Sequence, residues 1–168
     1  MVKFVTQQML IQNYSLRIFC PTDLESVVNI NRVCLPENYA PYFFIDTFNN
    51  LPQTFIVAES EGRVVGYIMC RLEHGMSDVR RLRLVKKGHI ISVAVMPDFR
   101  RMRMGTSLVE RVLSALSTLG VNECYLEVRI PNGSAIELYK KLGFQVARTI
   151  QRYYYDGSDA YVMVKPIQ

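Results

Sequence analysis

Three arginines, Arg100, Arg101 and Arg103, fall between an apolar run and an amphipathic helical pattern in the segment ISVAVMPDFRRMRMGTSL. Strand, basic loop and helix in that order form an anion-binding arrangement, because the free amides and dipole of a helix N-terminus face the anion while guanidinium groups supply charge. The chemistry this points to is capture of phosphate. The same residues also describe a solvated start of a basic helix, and the segment on its own is balanced between the two readings. Arg80, Arg81, Arg83, Lys86 and Lys87 make a second basic cluster, which reads as a loop or strand edge exposed to solvent. The net charge of +5 and isoelectric point near 9.1 suit an acidic partner, either nucleic acid or a phosphate-bearing cofactor, without choosing between them.

The elements that must hold these residues belong to one domain. At 168 residues the chain can bury a substantial single core, and its 49% hydrophobic content is ordinary for a globular protein. No repeat, low-complexity tract or Pro/Gly-rich linker divides it. Residues 1–12 read as a loosely held leader and residues 13–168 as a single domain. No apolar run is long enough to span a bilayer, and Met1 to Leu10 lacks the basic start, apolar centre and small-residue cleavage site of a signal peptide. A cytoplasmic location without membrane contact is therefore expected. Cys20, Cys34, Cys70 and Cys124 form no C-x-x-C pair and lie in or beside apolar segments, which favours reduced, buried thiols over disulfides or metal ligands.

Periodicity predicts a strand near Tyr14 to Phe19, then a helix opened by the capping pair Thr22 and Glu25, with Val27, Val28, Ile30 and Val33 on its buried face. LPENYAPYFF, Leu35 to Phe44, reads as an aromatic loop leading into a short second helix. Strands over Thr54 to Glu59 and Val64 to Arg71 flank a tight turn at Glu61 and Gly62, and HIISVAV, His89 to Val95, supplies another. The following helix places Met104, Leu108, Val112, Leu116 and Leu119 on one stripe and ends at Gly120. Next come strand Cys124 to Ile130, a helix opened by Ser134 and Glu137 and ending at Gly143, and two strands flanking Asp156 and Gly157. The order is β-α-α-β-β-β-α-β-α-β-β, a mixed α/β sheet rather than a doubly wound one.

The segment carrying the three arginines resembles motif A of the GNAT acetyltransferase superfamily, in which Q/R-x-x-G-x-G/A after a strand holds the pyrophosphate of acetyl-CoA. Arg100 fits the first position and Gly105 the last, while Arg103 stands where the middle glycine is expected. Arg103 is read as lying in a right-handed first helical turn, with negative φ, its side chain outward or folded over the phosphates. Downstream, YLEVRIPNGSAIELYKKLGF resembles the family's strand-to-helix segment, with Asn132, Ala135 and Tyr139 matching Asn-x-x-Ala-x-x-x-Tyr along the pantetheine arm. LPENY, KGHIISVAV and RYYYDGSDAYVM extend the resemblance to archaeal protein N-terminal acetyltransferases over nearly the whole chain beyond the leader.

The resemblance implies a GNAT fold, α/β (α+β), whose mixed, mostly antiparallel sheet has its fourth and fifth strands splayed apart and helices flanking it. It implies acetyl-CoA as co-substrate, contacted by Val93, Ala94, Val95, Arg100, Arg101, Met102, Arg103, Met104, Gly105, Thr106, Asn132 and Tyr139. His89 and Glu127 match the family's catalytic pair, acting through water on an amine whose ordinary pKa is about 7.7–8.0. The Val93 backbone amide matches the oxyanion donor, and Tyr139 the proton donor to the departing thiolate. Tyr39, Tyr153 and Tyr154 frame an acceptor groove, with Glu37 near the first substrate residue. The groove implies protein N-terminal peptides as substrate, with ribosome association left open. Taken singly, His89 also reads as a satisfied strand-end histidine, Glu127 as a solvent-facing residue, Tyr139 as a core aromatic, LPENY as a proline-bounded turn and the late tyrosines as plain strand. His89 and Glu127 could take up zinc, but with no third ligand in view no metal is required.

Three rival functions remain at this level. One is a GNAT enzyme for lysine side chains, polyamines or small amines, and another is a catalytically silent acetyl-CoA-binding regulator. The third is a nucleic-acid-binding module, which rests on charge alone, since no DNA-binding or RNA-recognition signature is present.

Overall fold

Among the described residues seven strands form one sheet in the order β1-β2-β3-β4-β5-β7-β6. A computed structural model describes residues 13–80 and 82–167; the expected leader over residues 1–12 and Arg81 lie outside the described residues. In chain order the elements are β1 (Ser15–Ile18), α1 (Leu24–Cys34), α2 (Pro41–Asn50), β2 (Phe55–Ser60), β3 (Arg63–Met76), β4 (Leu84–Val95), α3 (Met104–Thr118), β5 (Glu123–Arg129), α4 (Gly133–Lys141), β6 (Gln145–Ile150) and β7 (Ala160–Pro166). This is the predicted order. Every neighbouring pair is antiparallel except β4 and β5.

Several local devices differ from those read in the sequence. Helix α1 does not use Thr22 and Glu25: a single 3-10 turn over Pro21–Asp23 precedes it, and the Asp23 carboxylate accepts from the Cys20 amide at 2.8 Å and from Arg17. Of its expected face, Val33 is 55% exposed and Asn31 is buried instead. Helix α4 begins one residue before Ser134, and its cap is Asn132, whose side-chain oxygen accepts from Ala135 N. Asp156 and Gly157 do not make a two-residue hairpin; they lie in a nine-residue connection closed by Gly157 N on Tyr154 O and Tyr154 N on Ser158 O. Cys20 is exposed, unlike buried Cys70 and Cys124. In the second basic cluster Lys87 is buried, bonded to Asp78 and 3.4 Å from Glu123, because its stem lies in the sheet and its charge finds two carboxylates.

The sheet separates two cores. Met104, Leu108, Val112 and Leu116 of α3, with Ile136 and Tyr139 of α4, bury against Ile56, Ile68, Ile90 and Leu126. Burying each such aliphatic side chain contributes about 1.5–3 kcal/mol before conformational entropy is charged against it. On the opposite face Val27 and Ile30 of α1 and Phe44 of α2 cover Phe19, Phe55, Tyr67 and Met69. Gly88 allows the close seat of α3, since a Cβ there would stand 2.6 Å from Leu116 Cδ1.

One irregularity positions everything that follows. Cys70 lies opposite Ile90, and Met69 opposite Ser92, so β4 carries one extra residue, Ile91, across from β3. Ile91 and Ser92 accordingly both turn to the α1–α2 face, Ile91 packing there and Ser92 Oγ meeting Tyr67 Oη at 2.7 Å. A bulge bends its strand and strengthens the local twist. Pairing of β4 with β5 spans only Lys87–His89 against Glu123–Tyr125, ending just before that bend. Beyond it β4 and β5 diverge, as the fold reading expected.

Candidate active site

The divergence turns backbone groups of β4 toward the opening. Met96 N bonds Val65 O at 2.9 Å, so in the alternating antiparallel ladder Ala94 and Ser92 face β3 while Val93 and Val95 face away from it. Val95 O accepts from Arg100 Nε at 3.0 Å, in keeping with that sidedness. The Val93 amide is therefore presented on the splayed edge. Ile91 O, at the bulge, accepts from Tyr39 Oη at 3.5 Å.

At the apex of the opening, His89 Nε2 lies 2.7 Å from Glu127 Oε2. The expected pair is thus in direct contact rather than merely adjacent. Tyr125 stacks flat on the His89 ring, with centroids 4.4 Å apart and planes 4° from parallel. On the far side His89 Nδ1 is buried without a hydrogen-bond partner among the described residues, 3.4 Å from Glu73 Oε1. Glu73 accepts from Tyr125 Oη at 2.6 Å and from Arg71 Nε. Burial works to raise the Glu73 carboxyl, but those two bonds and the neighbouring His89 and Arg71 hold it below the usual carboxylate range. Lys87 Nζ sits 4.7 Å from the centre of the Tyr125 ring.

The α1–α2 loop reaches this apex because α1 anchors it. Buried Asn31 donates to Glu37 O and Tyr67 Oη, both at 3.1 Å, and accepts from Tyr39 N at 3.2 Å. Tyr39 stacks on Phe43 at 4.8 Å. Glu37 does not present a bare charge: it pairs with Arg129 at the end of β5, which also donates to Asp156 at 2.7 Å and Ser158 at 2.9 Å and lies 3.9 Å over the Tyr154 ring. Tyr153 meets Tyr154 edge-on at 4.9 Å. Burial raises the Tyr39 and Tyr153 hydroxyls, and the Glu127 charge adds to the rise in both, so the two rings and Glu127 share one electrostatic neighbourhood.

The basic loop after β4 departs from expectation in its backbone. Arg103, at the N-cap of α3, has φ of 62°, and Arg101 has φ of 65°, both left-handed. The reading of Arg103 as part of a right-handed turn is overturned: the position is one where glycine's conformational freedom matters, and arginine holds it at a cost of about 1–2 kcal/mol. No side chain caps α3, so its first amides and Arg100, Arg101 and Arg103, all exposed, form an electropositive end. Gly105 lets α3 approach α4, where a Cβ would stand 3.3 Å from Leu138. Tyr139 is buried edge-on to Phe144 at 5.8 Å, and burial pushes its hydroxyl above the usual tyrosine range. Asn132 is exposed, at the mouth of α4.

The sequence profile of the Acetyltransferase (GNAT) family matches residues 24–144. The chain belongs to the GNAT acetyltransferase family. It is 45% identical over 158 residues to an N-alpha-acetyltransferase of Sulfurisphaera tokodaii, covering 93% of this chain and 95% of that protein. Its fold matches Ard1 from Thermoplasma volcanium with a TM-score of 0.81 at 33% identity, over 93% of this chain and 99% of that one. It also matches Arabidopsis thaliana Naa50 in complex with the bisubstrate analogue CoA-Ac-MVNAL, with a TM-score of 0.78 at 30% identity, over 91% and 98% of the two chains.

Within this GNAT fold the structure joins His89 to Glu127, brings Tyr39 to Ile91 O at the β4 bulge and places Arg100 to Thr106 at the start of α3. Four residues near the apex went unread in the sequence: Asn31, Glu73, Tyr125 and Arg129. Tyr125 and Arg129 stand two residues either side of Glu127, and period-two alternation would have put all three on one face of β5. Glu73 carries no such signal, since its place depends on the register of β3 against β4, where it lies opposite Lys87.

Proposed function

We propose that this GNAT acetyltransferase transfers acetyl from acetyl-CoA to the α-amine of protein N-termini. The observation that carries the reading is the His89–Glu127 contact at the apex of the β4–β5 opening, with Tyr39 Oη bonded to Ile91 O at the bulge of β4. Its likeness to an N-alpha-acetyltransferase and to a structure holding a CoA-linked peptide supports the same assignment.

Acetyl-CoA supplies the activated acyl group. Its pyrophosphate suits the uncapped N-terminus of α3 with Arg100, Arg101 and Arg103, where amides and guanidinium groups converge. Asn132 and Tyr139 stand along the pantetheine arm, and the Val93 amide is the donor for the carbonyl oxygen as it gains charge. Glu127 and His89 share the proton released by the attacking amine. Tyr139 Oη keeps its hydrogen at neutral pH as any tyrosine does and is the proton donor to the departing sulfur, while burial raises the hydroxyl and so makes it a weaker acid. Glu37, Tyr39, Tyr153 and Tyr154 line the acceptor side, where a groove latched by Arg129 favours a slender peptide end over an internal lysine.

Mixing the protein with acetyl-CoA and peptides beginning Ser, Ala, Met-Leu or Met-Glu, beside one with an internal lysine and a blocked N-terminus, and following free thiol tests the reading. Turnover confined to the lysine peptide overturns it. Action on nascent chains in the cytoplasm is part of the proposal, and co-sedimentation with translating ribosomes measures that part.

A further inference from the structure

The side-chain amide of Asn31 has one orientation open to it. Tyr39 N donates to its Oδ1 at 3.2 Å, and its Nδ2 donates to Glu37 O and Tyr67 Oη, both at 3.1 Å. Turned over, the amide would set Nδ2 against another N–H donor and Oδ1 against a carbonyl oxygen. Because Nδ2 can only donate, Tyr67 Oη accepts from it, and the Tyr67 hydrogen goes to its other partner, Ser92 Oγ, at 2.7 Å. A hydrogen-bond relay therefore runs one way, from Asn31 through Tyr67 to Ser92, and all three residues are buried. Its two ends meet different parts of the site. One holds the backbone of the α1–α2 loop on either side of Asn38. The other stands on β4 between Ile91, the extra residue of the bulge, and Val93, whose amide faces the opening. Tyr39 Oη reaches Ile91 O at 3.5 Å, a second tie from the same loop to the same bulge.

Strand β4 keeps its place through its ladder with β3 on both sides of the bulge, whereas residues 35–40 belong to no helix or strand. The loop is thus the part that the relay must hold. In the low dielectric of the interior a hydrogen-bonded network rigidifies its members and specifies one arrangement among near neighbours. We propose that Asn31, held through Tyr67 to Ser92, is a positioning residue for the acceptor: it fixes the loop carrying Glu37 and Tyr39 over β4 and thereby places the amine against the Val93 amide. The inference rests on the reading of Glu37 and Tyr39 as acceptor-side residues. Asn31 itself is buried too deeply for a substrate to touch, so it acts only through the loop. The groups assigned to acetyl-CoA, on β4, α3 and α4, do not depend on the loop, so the relay serves the peptide and not the co-substrate.

Steady-state kinetics of the full-length protein, with acetyl-CoA and a peptide beginning with Ser varied in turn, test the proposal. Asn31→Leu, close in size but unable to bond the loop, should raise the peptide KM about tenfold while KM for acetyl-CoA moves less than about twofold. Tyr67→Phe keeps the ring and its packing on Phe44 and Phe55. It should raise the peptide KM about fivefold, and Ser92→Ala about as much. Adding Tyr67→Phe to Asn31→Leu should do nothing more, because the relay is already cut at the loop. A mere loss of folded enzyme would lower kcat and leave both KM values alone, so the split separates positioning from stability. If Asn31→Leu fails to fold, Tyr67→Phe and Ser92→Ala decide the matter. A peptide KM unchanged in the folded variants overturns the proposal, as do equal rises in both KM values. Tyr39→Ala checks the reading beneath it: an unchanged peptide KM there removes the acceptor-side assignment and this inference with it. A raised KM in Tyr39→Ala beside an unchanged one in Asn31→Leu removes the relay alone.

Discussion

Arg129 donates to Glu37 through Nη2 and to Asp156 through Nη1, so one guanidinium at the end of β5 ties the α1–α2 loop to the β6–β7 loop across the proposed acceptor groove. The side chains of Glu37 and Asp156 are 39% and 58% exposed, so solvent screens both pairs and they add little to stability. Arg129→Met should therefore leave the melting temperature nearly unchanged while raising the peptide KM several-fold. A large loss of stability with unchanged KM would make the latch structural only.

The same pairing alters what a change at Glu37 tests. Glu37→Val should favour peptides beginning Met-Leu over those beginning Ser or Ala by about 1–3 kcal/mol in specificity. Part of that shift is opposed by the guanidinium left without its partner, so the double variant Glu37→Val, Arg129→Met should show more of it. Equal specificity ratios in wild type, single and double variants would remove Glu37 from the pocket.

Left-handed Arg103 can be separated into backbone and side-chain parts. Arg103→Gly should raise stability by about 1 kcal/mol by relieving the positive φ, whereas Arg103→Ala, which keeps a Cβ, should not. Both should weaken acetyl-CoA binding and flatten its dependence on salt, if the guanidinium contacts phosphate. Calorimetry across a salt series reads both effects, and unchanged affinity in both variants would place Arg103 in solvent.

Glu127→Gln and His89→Ala should each lower kcat by a factor on the order of 10 to 10³ with little effect on acetyl-CoA binding. Tyr139→Phe should lower kcat while leaving the acidic limb of the pH profile in place, because burial carries its hydroxyl away from that range. Wild-type turnover in the double variant Glu127→Gln, His89→Ala would reject the assignment.

Asp23 gives a pH dependence of stability. Its carboxyl is held below the usual aspartate value, chiefly by the bond to Arg17, against the opposing effect of burial and with help from the Cys20 amide. A depressed folded pKa gives stability that is fully present above the unfolded value, near 3.9, and is lost as pH falls through the folded one. Asp23→Asn should thus cost about 1–3 kcal/mol at neutral pH, and denaturant titrations should show the gap to wild type closing below about pH 4. A gap independent of pH would assign the cost to packing.

Most of the architecture was legible because apolar periodicity marks it. The stripe from Met104 to Leu116 and the glycines at Gly120 and Gly143 located α3 and α4 to within a residue or two. Caps were less legible: Thr22 and Ser134 stand beside better placed competitors, Asp23 and Asn132, and local spacing cannot rank neighbours one residue apart. His89 and Glu127 emerged through family likeness, and their direct contact then followed from β4–β5 pairing. Glu73, Asn31 and the partner of Glu37 were hidden for one reason. Each makes one contact across 36 to 92 residues of chain, a distance over which no local pattern carries information, although Asn31 also bonds Glu37 O and Tyr39 N and Glu73 also bonds Arg71 nearby in the chain.

The extra residue in β4 has an engineering consequence. Deleting Ile91 would leave Cys70 opposite Ile90 and Met69 opposite Ser92, so every cross-strand neighbour on β3 would be retained and no side chain would change faces. The bend would go, together with the Ile91 packing and the Tyr39 bond to Ile91 O, and a straightened β4 could continue alongside β5, zipping the sheet shut. The entrance is thus encoded in how many residues β4 contains rather than in what they are. Point substitutions at Ile91 should leave it open, whereas a one-residue deletion should yield a well-folded protein with no doorway.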